Sequence, residues 1–162
     1  PAAIPAPAPA SAAVSTPAPP PAPGPAATPQ MLTRVAFSEM GPLLARWGLR
    51  AEVDRATLQP TYAIALGDNR KIWLWFESCA AGGGPCASLT LVAGFARNAP
   101  SPARINQFNQ TARGAFAFID NAGGWYLRGA LNLAGGVTPE TIRSFITDYI
   151  ARFQEFSKLA PG

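Results

Sequence analysis

The chain has 162 residues, a formal net charge of +4 and no histidine. The lack of histidine excludes histidine-dependent catalytic triads and most zinc sites, and two cysteines alone cannot complete a structural zinc site. The basic residues are mostly arginines scattered singly, and no apolar stretch reaches the roughly 18 residues of a transmembrane helix. We therefore expect no catalytic residue, metal or cofactor, no nucleic-acid partner and no transmembrane segment.

The N-terminal part of the chain differs in composition from the rest. Residues 1–30 contain 11 of the 18 prolines and no charged or aromatic side chain. Proline blocks helix and sheet hydrogen bonds and alanine buries little apolar surface, so residues 1–31 are predicted to be a disordered, partly polyproline-II tether. Such a start is typical of an exported protein after signal-peptide cleavage, so a periplasmic or secreted location is expected. A sequence that was cut artificially at this point would begin with the same composition.

Residues 32–162 are predicted to fold as one domain with alternating helix and strand signals. A first helix is expected over 38–47, with Ser38 as N-cap and Gly48 as the stop. Ser101 and Thr138, each followed by proline, are predicted to cap two further helices. Strands are predicted over residues 50–54, 61–66, 71–77, 88–95, 114–120 and 124–133. The order α-β-β-β-β-α-β-β-α predicts an α+β fold, an antiparallel sheet with helices packed on it.

Cys79 and Cys86 flank a glycine-rich loop between two of these strands. They could form a disulfide, a redox couple or half of a metal site, or they could be reduced packing residues. A redox couple usually has two residues between its cysteines and opens a helix, whereas six intervene here. The loop offers no further metal ligand. The favoured prediction is a structural disulfide that joins the two strands, with no metal bound.

Aromatic side chains occupy the second face of the predicted strands. In residues 71–77, Ile72, Leu74 and Phe76 point to one side of the strand and the two tryptophans point to the other. The aromatic set opposite the predicted core comprises Trp73, Trp75, Phe116, Phe118 and Tyr126. These side chains are either a second covered layer or an exposed platform for a partner chain or a second copy of the protein.

Two asparagines on the second helix are further candidates for partner binding. Asn106 and Asn109 lie three residues apart on this predicted helix. Their amides could bind the backbone of an extended partner, because amides both donate and accept hydrogen bonds. Alternatively, they could satisfy strand-end or loop carbonyl groups of the chain's own fold, which is the favoured interpretation.

Several local motifs follow one another along residues 36–157: Leu44 with Trp47-Gly48-Leu49, the strand 72–76 before the two cysteines, Ile105-Asn106-Gln107-Phe108-Asn109 with Arg113, the turn Asp120 to Gly123, Gly135-Gly136-Val137-Thr138 and the aromatic last helix. In this order they resemble the YbjN-domain family of bacterial sensory-transduction regulators. Trp47 and the proline-rich arm depart from the family pattern. The resemblance implies a fold like that of the type III secretion chaperones, a dimer as one candidate assembly, and no family-wide catalytic residues.

The sequence thus predicts a non-catalytic, chaperone-like or regulatory protein-binding domain of the bacterial cell envelope. Its partner would be another protein, a client peptide or a second copy of the chain. Binding would bury the aromatic side chains and add edge-strand hydrogen bonds to an extended client. One alternative is a structural envelope protein that contacts cell-wall glycan through its proline-rich arm. Another is a histidine-independent hydrolase that uses carboxylates and arginines.

Overall fold

A computed structural model of the protein describes residues 30–56, 61–67 and 69–160. The predicted tether, apart from its last two residues, lies outside this part of the chain. The elements are α1 (Phe37–Arg46), β1 (Ala51–Asp54), β2 (Thr61–Ala65), β3 (Lys71–Cys79), β4 (Cys86–Phe95), α2 (Pro102–Thr111), β5 (Phe116–Ile119), β6 (Trp125–Asn132) and α3 (Pro139–Ser157). This order confirms the predicted α+β arrangement.

The strands form one antiparallel sheet in the order β1-β2-β3-β4-β6-β5. β3 and β4 are adjacent in the chain and central in the sheet, with Leu74 opposite Leu91 and Trp73 opposite Val92. On its other side β4 pairs with β6 rather than with β5. The β5–β6 hairpin therefore packs against β4 through its second strand, and β1 and β5 form the two edges.

The helices pack on the face of the sheet that carries the inward residues of β3 and β4. Phe156 of α3 lies 4.6 Å from Trp125 between ring centroids, and Phe37 of α1 stacks on Tyr62 at 4.4 Å. Tyr149 of α3 is buried and donates a hydrogen bond to the Leu127 carbonyl oxygen at 2.7 Å. Each fully buried large apolar side chain of this kind contributes about 1.5–3 kcal/mol. The residues form a single core between the sheet and the helices.

The N-cap of the first helix differs from the prediction. α1 begins at Phe37 with Ala36 as its N-cap, and the predicted cap, Ser38, lies inside the first turn. The Ala36 N–H donates to Glu39 Oε2 at 2.7 Å, and the Glu39 N–H donates to the Ala36 carbonyl oxygen at 3.1 Å. Glu39 satisfies the N-cap amide from within the helix, so a serine cap is not needed there. Gly48 follows the helix with φ 77°, as expected of the stop residue.

Cys79 and Cys86 form the predicted disulfide between β3 and β4. Cys86 exchanges its two backbone hydrogen bonds with Val35, at 2.8 and 2.9 Å, on the side away from β3. The cysteines are therefore a non-hydrogen-bonded pair of the β3–β4 ladder, where facing side chains approach most closely. Arg34 Nη1 also donates to the carbonyl oxygens of Ser78 and Pro85, so the chain before α1 anchors this hairpin.

Reduction of the disulfide should lower the free energy of unfolding by about 2–3 kcal/mol, because the bond closes a short loop in the unfolded chain. Urea unfolding with and without reductant measures the change. The variant Cys79→Ala/Cys86→Ala should have the stability of the reduced protein and should not respond to reductant. Two titratable thiols in the untreated protein, or an unchanged midpoint after reduction, would contradict this prediction.

Candidate functional site

The side chains opposite the core define what we call the open face of the sheet. Its aromatic members are Trp73 and Trp75 of β3, Phe116 and Phe118 of β5, and Tyr126 of β6. Trp75 and Phe118 are 38% and 37% exposed, and Phe116 is 51% exposed. In the described part of the chain the helices lie on the other face or, for α2, at the β5 edge. The aromatic set is therefore not a second covered layer of these elements.

A cleft of about 640 Å³ crosses the open face above β4. Trp73 and Trp75 line one side, and Phe118 and Tyr126 line the other. β3 and β6 flank β4, so their backbones are about 10 Å apart, twice the usual strand spacing, and β5, which carries Phe118, lies one strand beyond β6. Pockets of this size take drug-sized ligands or a few residues of a peptide.

The floor of the cleft depends on a glycine. Gly94 of β4 lies opposite Tyr126 in the ladder, and a Cβ at this position would collide with the Tyr126 ring and the Trp125 carbonyl oxygen. The absence of a side chain lets the Tyr126 ring lie down over the strand. Phe118 then stacks on Tyr126 at 5.5 Å, and Phe116 follows at 5.8 Å from Phe118. The result is a continuous row of three rings along one side of the open face.

A polar network borders the cleft beyond Trp75. Thr90 lies opposite Trp75 in the ladder, is fully buried and donates from Oγ1 to Glu77 Oε2 at 2.8 Å. Arg128 Nη2 donates to the second oxygen of the same carboxylate, Glu77 Oε1, at 2.9 Å. Both carboxylate oxygens therefore accept hydrogen bonds from neighbouring strands, which suits a structural ion pair better than a general acid or base.

The two tryptophans differ in their hydrogen bonding. Trp73 Nε1 donates to Asp54 Oδ2 at 3.2 Å, which fixes the orientation of this indole. Trp75 Nε1 makes no hydrogen bond within the described residues. An indole N–H can only donate, so the partner that the Trp75 N–H can still take is an acceptor, such as one on a ligand.

Asp120 is the one charged residue among those that line the cleft. Its Oδ1 accepts hydrogen bonds from the Ala122 and Gly124 backbone N–H groups at 2.9 and 2.8 Å. The pKa of the Tyr126 phenol is raised, mainly by the negative charge of Asp120. Burial and a hydrogen bond between the two side chains raise it further. Tyr126 therefore stays neutral, and its hydroxyl is already engaged at the rim of the cleft.

The structure separates the asparagines from the aromatic residues. Asn109 Nδ2 donates to the Ala117 carbonyl oxygen at 2.9 Å, and its Oδ1 accepts from the Ala117 N–H at 2.7 Å. The Asn109 side chain thus occupies the backbone groups of Ala117 that a neighbouring strand would otherwise bind at the β5 edge. This agrees with the interpretation that the asparagine satisfies backbone groups of the chain's own fold. Asn106 is exposed on α2. A contact between either residue and a partner stays a prediction.

Sequence reasoning identified four of the cleft residues but not the cleft itself. It missed Val92, Gly94 and Asp120, which complete the floor and one end. A glycine inside a strand indicates close approach of another group, so Gly94 carried a usable signal. Phe116 lies beside the cleft and does not line it.

Neither a metal cluster in the described residues nor a carboxylate pair in the cleft lining is present. The described residues contain no group of three cysteine, aspartate or glutamate residues that could hold a metal ion. Asp120 has no second carboxylate beside it in the cleft lining. None of the described helices is long and apolar enough to cross a membrane.

A family model described as "Putative bacterial sensory transduction regulator" matches residues 42–158. The chain belongs to the YbjN family. The matched range begins within α1 and ends after α3, so it includes every strand and the whole cleft of this YbjN domain. A comparison with curated proteins gives no match. The likeness to type III secretion chaperones stays a prediction.

Asn109→Ala in this YbjN domain should lower the free energy of unfolding by about 1–3 kcal/mol, because two backbone groups of the buried Ala117 lose their partners. The matched control is Asn106→Ala on the same helix, which should stay within about 0.5 kcal/mol of the parent. Urea unfolding measures both. Equal effects of the two substitutions would contradict the structural role of Asn109.

Asp120→Asn should lower the pKa of Tyr126 towards its ordinary value, because the amide removes the charge and keeps an oxygen for the turn. In the parent, Tyr126 has a higher pKa folded than unfolded. Its contribution to stability is therefore fully present below about pH 10 and is lost as the pH rises through the folded pKa. Tyrosinate absorbance measures the titration, with Tyr126→Phe to separate it from Tyr62 and Tyr149. An unchanged titration in Asp120→Asn would contradict this.

Proposed function

We propose that this protein is a non-catalytic binding domain, regulatory or chaperone-like, that takes the apolar side chains of a protein partner into the cleft on its open face. The observation that carries the proposal is the cleft, formed by Trp73, Trp75, Phe118 and Tyr126. Large aromatic side chains that are rigidly held and partly exposed are typical anchors of protein interfaces. A regulator, as the family description has it, acts by binding.

The chemistry of the lining favours a peptide over a carbohydrate or a hydrolase substrate. A sugar ligand needs several hydrogen-bonding side chains around it, whereas Asp120, Tyr126 and Trp73 of the cleft already bond within the protein, which leaves the Trp75 N–H. Hydrolysis by carboxylates needs a second acid near the first. The hydrolase alternative therefore has no support in the cleft lining, and the contact of the proline-rich arm with cell-wall glycan lies outside the described residues.

Edge-strand pairing would have to use β1. At the β5 edge the outward groups of Ala117 are bound by Asn109. At the β1 edge, the Ala65 N–H donates to the Arg50 carbonyl oxygen, so the backbone groups of Arg50 point towards β2. Backbone groups alternate in direction along a strand, so those of Ala51 and Val53 point away from the sheet. Val53 is 43% exposed there. An extended client could therefore add a strand beside β1, as an addition to binding in the cleft.

We also propose that the protein is exported from the cytoplasm. A disulfide that closes a hairpin persists in an oxidising compartment such as the periplasm or the extracellular space. The partner would then be a protein or peptide of the cell envelope, or a second copy of this chain that pairs its own open face.

Site-specific photocrosslinking in the native envelope tests the proposal. A benzophenone amino acid replaces Trp75 in one variant and the exposed Thr147, on the outer side of α3, in the control. We expect a discrete adduct with a second polypeptide at position 75, identified by mass spectrometry, and a several-fold weaker one when Phe118→Ser is added. No adduct at position 75, or the same adduct at position 147, would contradict binding through the cleft.

A further inference from the structure

We propose that two copies of the chain pair through their β1 strands, with Arg50 of each copy opposite Glu52 of the other. The inference goes beyond the proposed function, which depends on the open face and leaves the β1 edge to any extended client. It names a second copy of the chain as the occupant of this edge. The supporting observations are the outward backbone groups of β1 and the order of charged and apolar side chains along it.

β1 is an edge strand whose outward backbone groups have no partner among the described residues. The Arg50 carbonyl oxygen accepts a hydrogen bond from the Ala65 N–H, so the groups of Arg50 point towards β2. Those of Ala51 and Val53 point away from the sheet, and no described group bonds to them there. A row of unpaired N–H and C=O groups is a template for another strand. At the β5 edge, by contrast, a side chain of α2 already occupies such groups.

The side chains along β1 are complementary to themselves when the second strand runs antiparallel. A two-fold axis makes every contact between the two copies occur twice. With Ala51 on the axis, Arg50 of each copy lies opposite Glu52 of the other, and Leu49 lies opposite Val53. The N–H and C=O groups of the two Ala51 residues then bond to each other, and the Arg50–Glu52 pairs occupy the closer, non-hydrogen-bonded positions of the ladder. The pairing thus combines opposite charges on the open face with apolar contact on the face that carries the helices.

The side chains that would meet are accessible. Arg50 is exposed, and its guanidinium makes no hydrogen bond or ion pair with a described residue. The Glu52 side chain is 85% exposed, and its contact with Lys71 Nζ is long, at 4.0 Å. Val53 is 43% exposed beside the core, so Leu49 of the second copy would cover apolar surface there.

Other two-fold registers of β1 bring like charges together. With Glu52 on the axis, the carboxylates of the two Glu52 residues face each other. With Val53 on the axis, Glu52 of each copy faces Asp54 of the other. Like charges directly opposite each other destabilise a pair of strands. The charges therefore select the register that has Ala51 on the axis.

The pairing would join the two sheets and leave both clefts accessible. Each cleft lies above β4, which is separated from the β1 edge by β2 and β3. A partner with two apolar segments would bind such a dimer more tightly than a monomer, because the second segment binds intramolecularly. β1 has four residues, so the contact is small, and we expect a dissociation constant roughly in the micromolar range.

Sedimentation equilibrium of the full, disulfide-bonded chain tests the inference with a charge exchange. The parent should pass from monomer to dimer as its concentration rises to about 1 mM. Arg50→Glu and Glu52→Arg should each raise the dissociation constant about tenfold or more, because each sets like charges opposite each other. An equal mixture of the two variants should dimerise again, because the glutamates of one then face the arginines of the other. The matched control is Arg143→Glu on the exposed side of α3, which makes the same change of charge and should dimerise like the parent.

The outcomes separate this inference from the proposed function. A parent chain that stays monomeric over the whole range would overturn the dimer. A dimer that Arg50→Glu weakens no more than Arg143→Glu does would overturn pairing through β1. A mixture that stays monomeric although both variants are folded by circular dichroism would overturn the register. None of these results bears on the cleft, so an adduct from position 75 with another protein would leave the proposed function standing.

Discussion

The pairing of β3 with β4 is the constraint on which the rest of the structure depends. Its register sets Leu74 opposite Leu91 and Trp73 opposite Val92. Side chains alternate between faces along a strand, so this register sends the aliphatic residues to the helices and the indoles to the opposite side. A slip by one residue would bury the tryptophans and expose the leucines. The disulfide at the end of the same ladder joins two residues that only this register brings face to face.

An open face of this kind must be kept from non-specific association. Glu77, Thr90 and Arg128 form a closed polar network at one end of the cleft, and Asp120 borders the other. The side chain of Asn109 covers the β5 edge, where a free strand would otherwise invite pairing. The apolar lining of the cleft is thereby bounded by polar groups at both ends, which favours a ligand of defined shape over non-specific apolar contacts.

The order of elements was predictable because each has a local cause. Alternation in residues 72–76 defined the inner and outer faces of β3, and Ser101 and Thr138 cap α2 and α3 as predicted. The first cap was not predictable from residue type, because at Ala36 the partner is a glutamate three residues later. The cleft could not be predicted because it depends on β6 lying beside β4, a pairing between strands that are not consecutive. The position of the Tyr126 ring over Gly94 follows from that pairing alone.

A comparison of two neighbouring residues on β3 tests most directly whether the open face is a contact surface rather than core. Leu74 is fully buried on one side of the strand, and Trp75 is 38% exposed on the other. Urea unfolding should show that Leu74→Ala lowers the free energy of unfolding by about 2–5 kcal/mol. Trp75→Ser, which removes a larger side chain, should cost less than Leu74→Ala and should keep a single cooperative transition. If Trp75→Ser destabilised the protein as much as Leu74→Ala or more, the tryptophan would belong to the core, and the account of the open face would be contradicted.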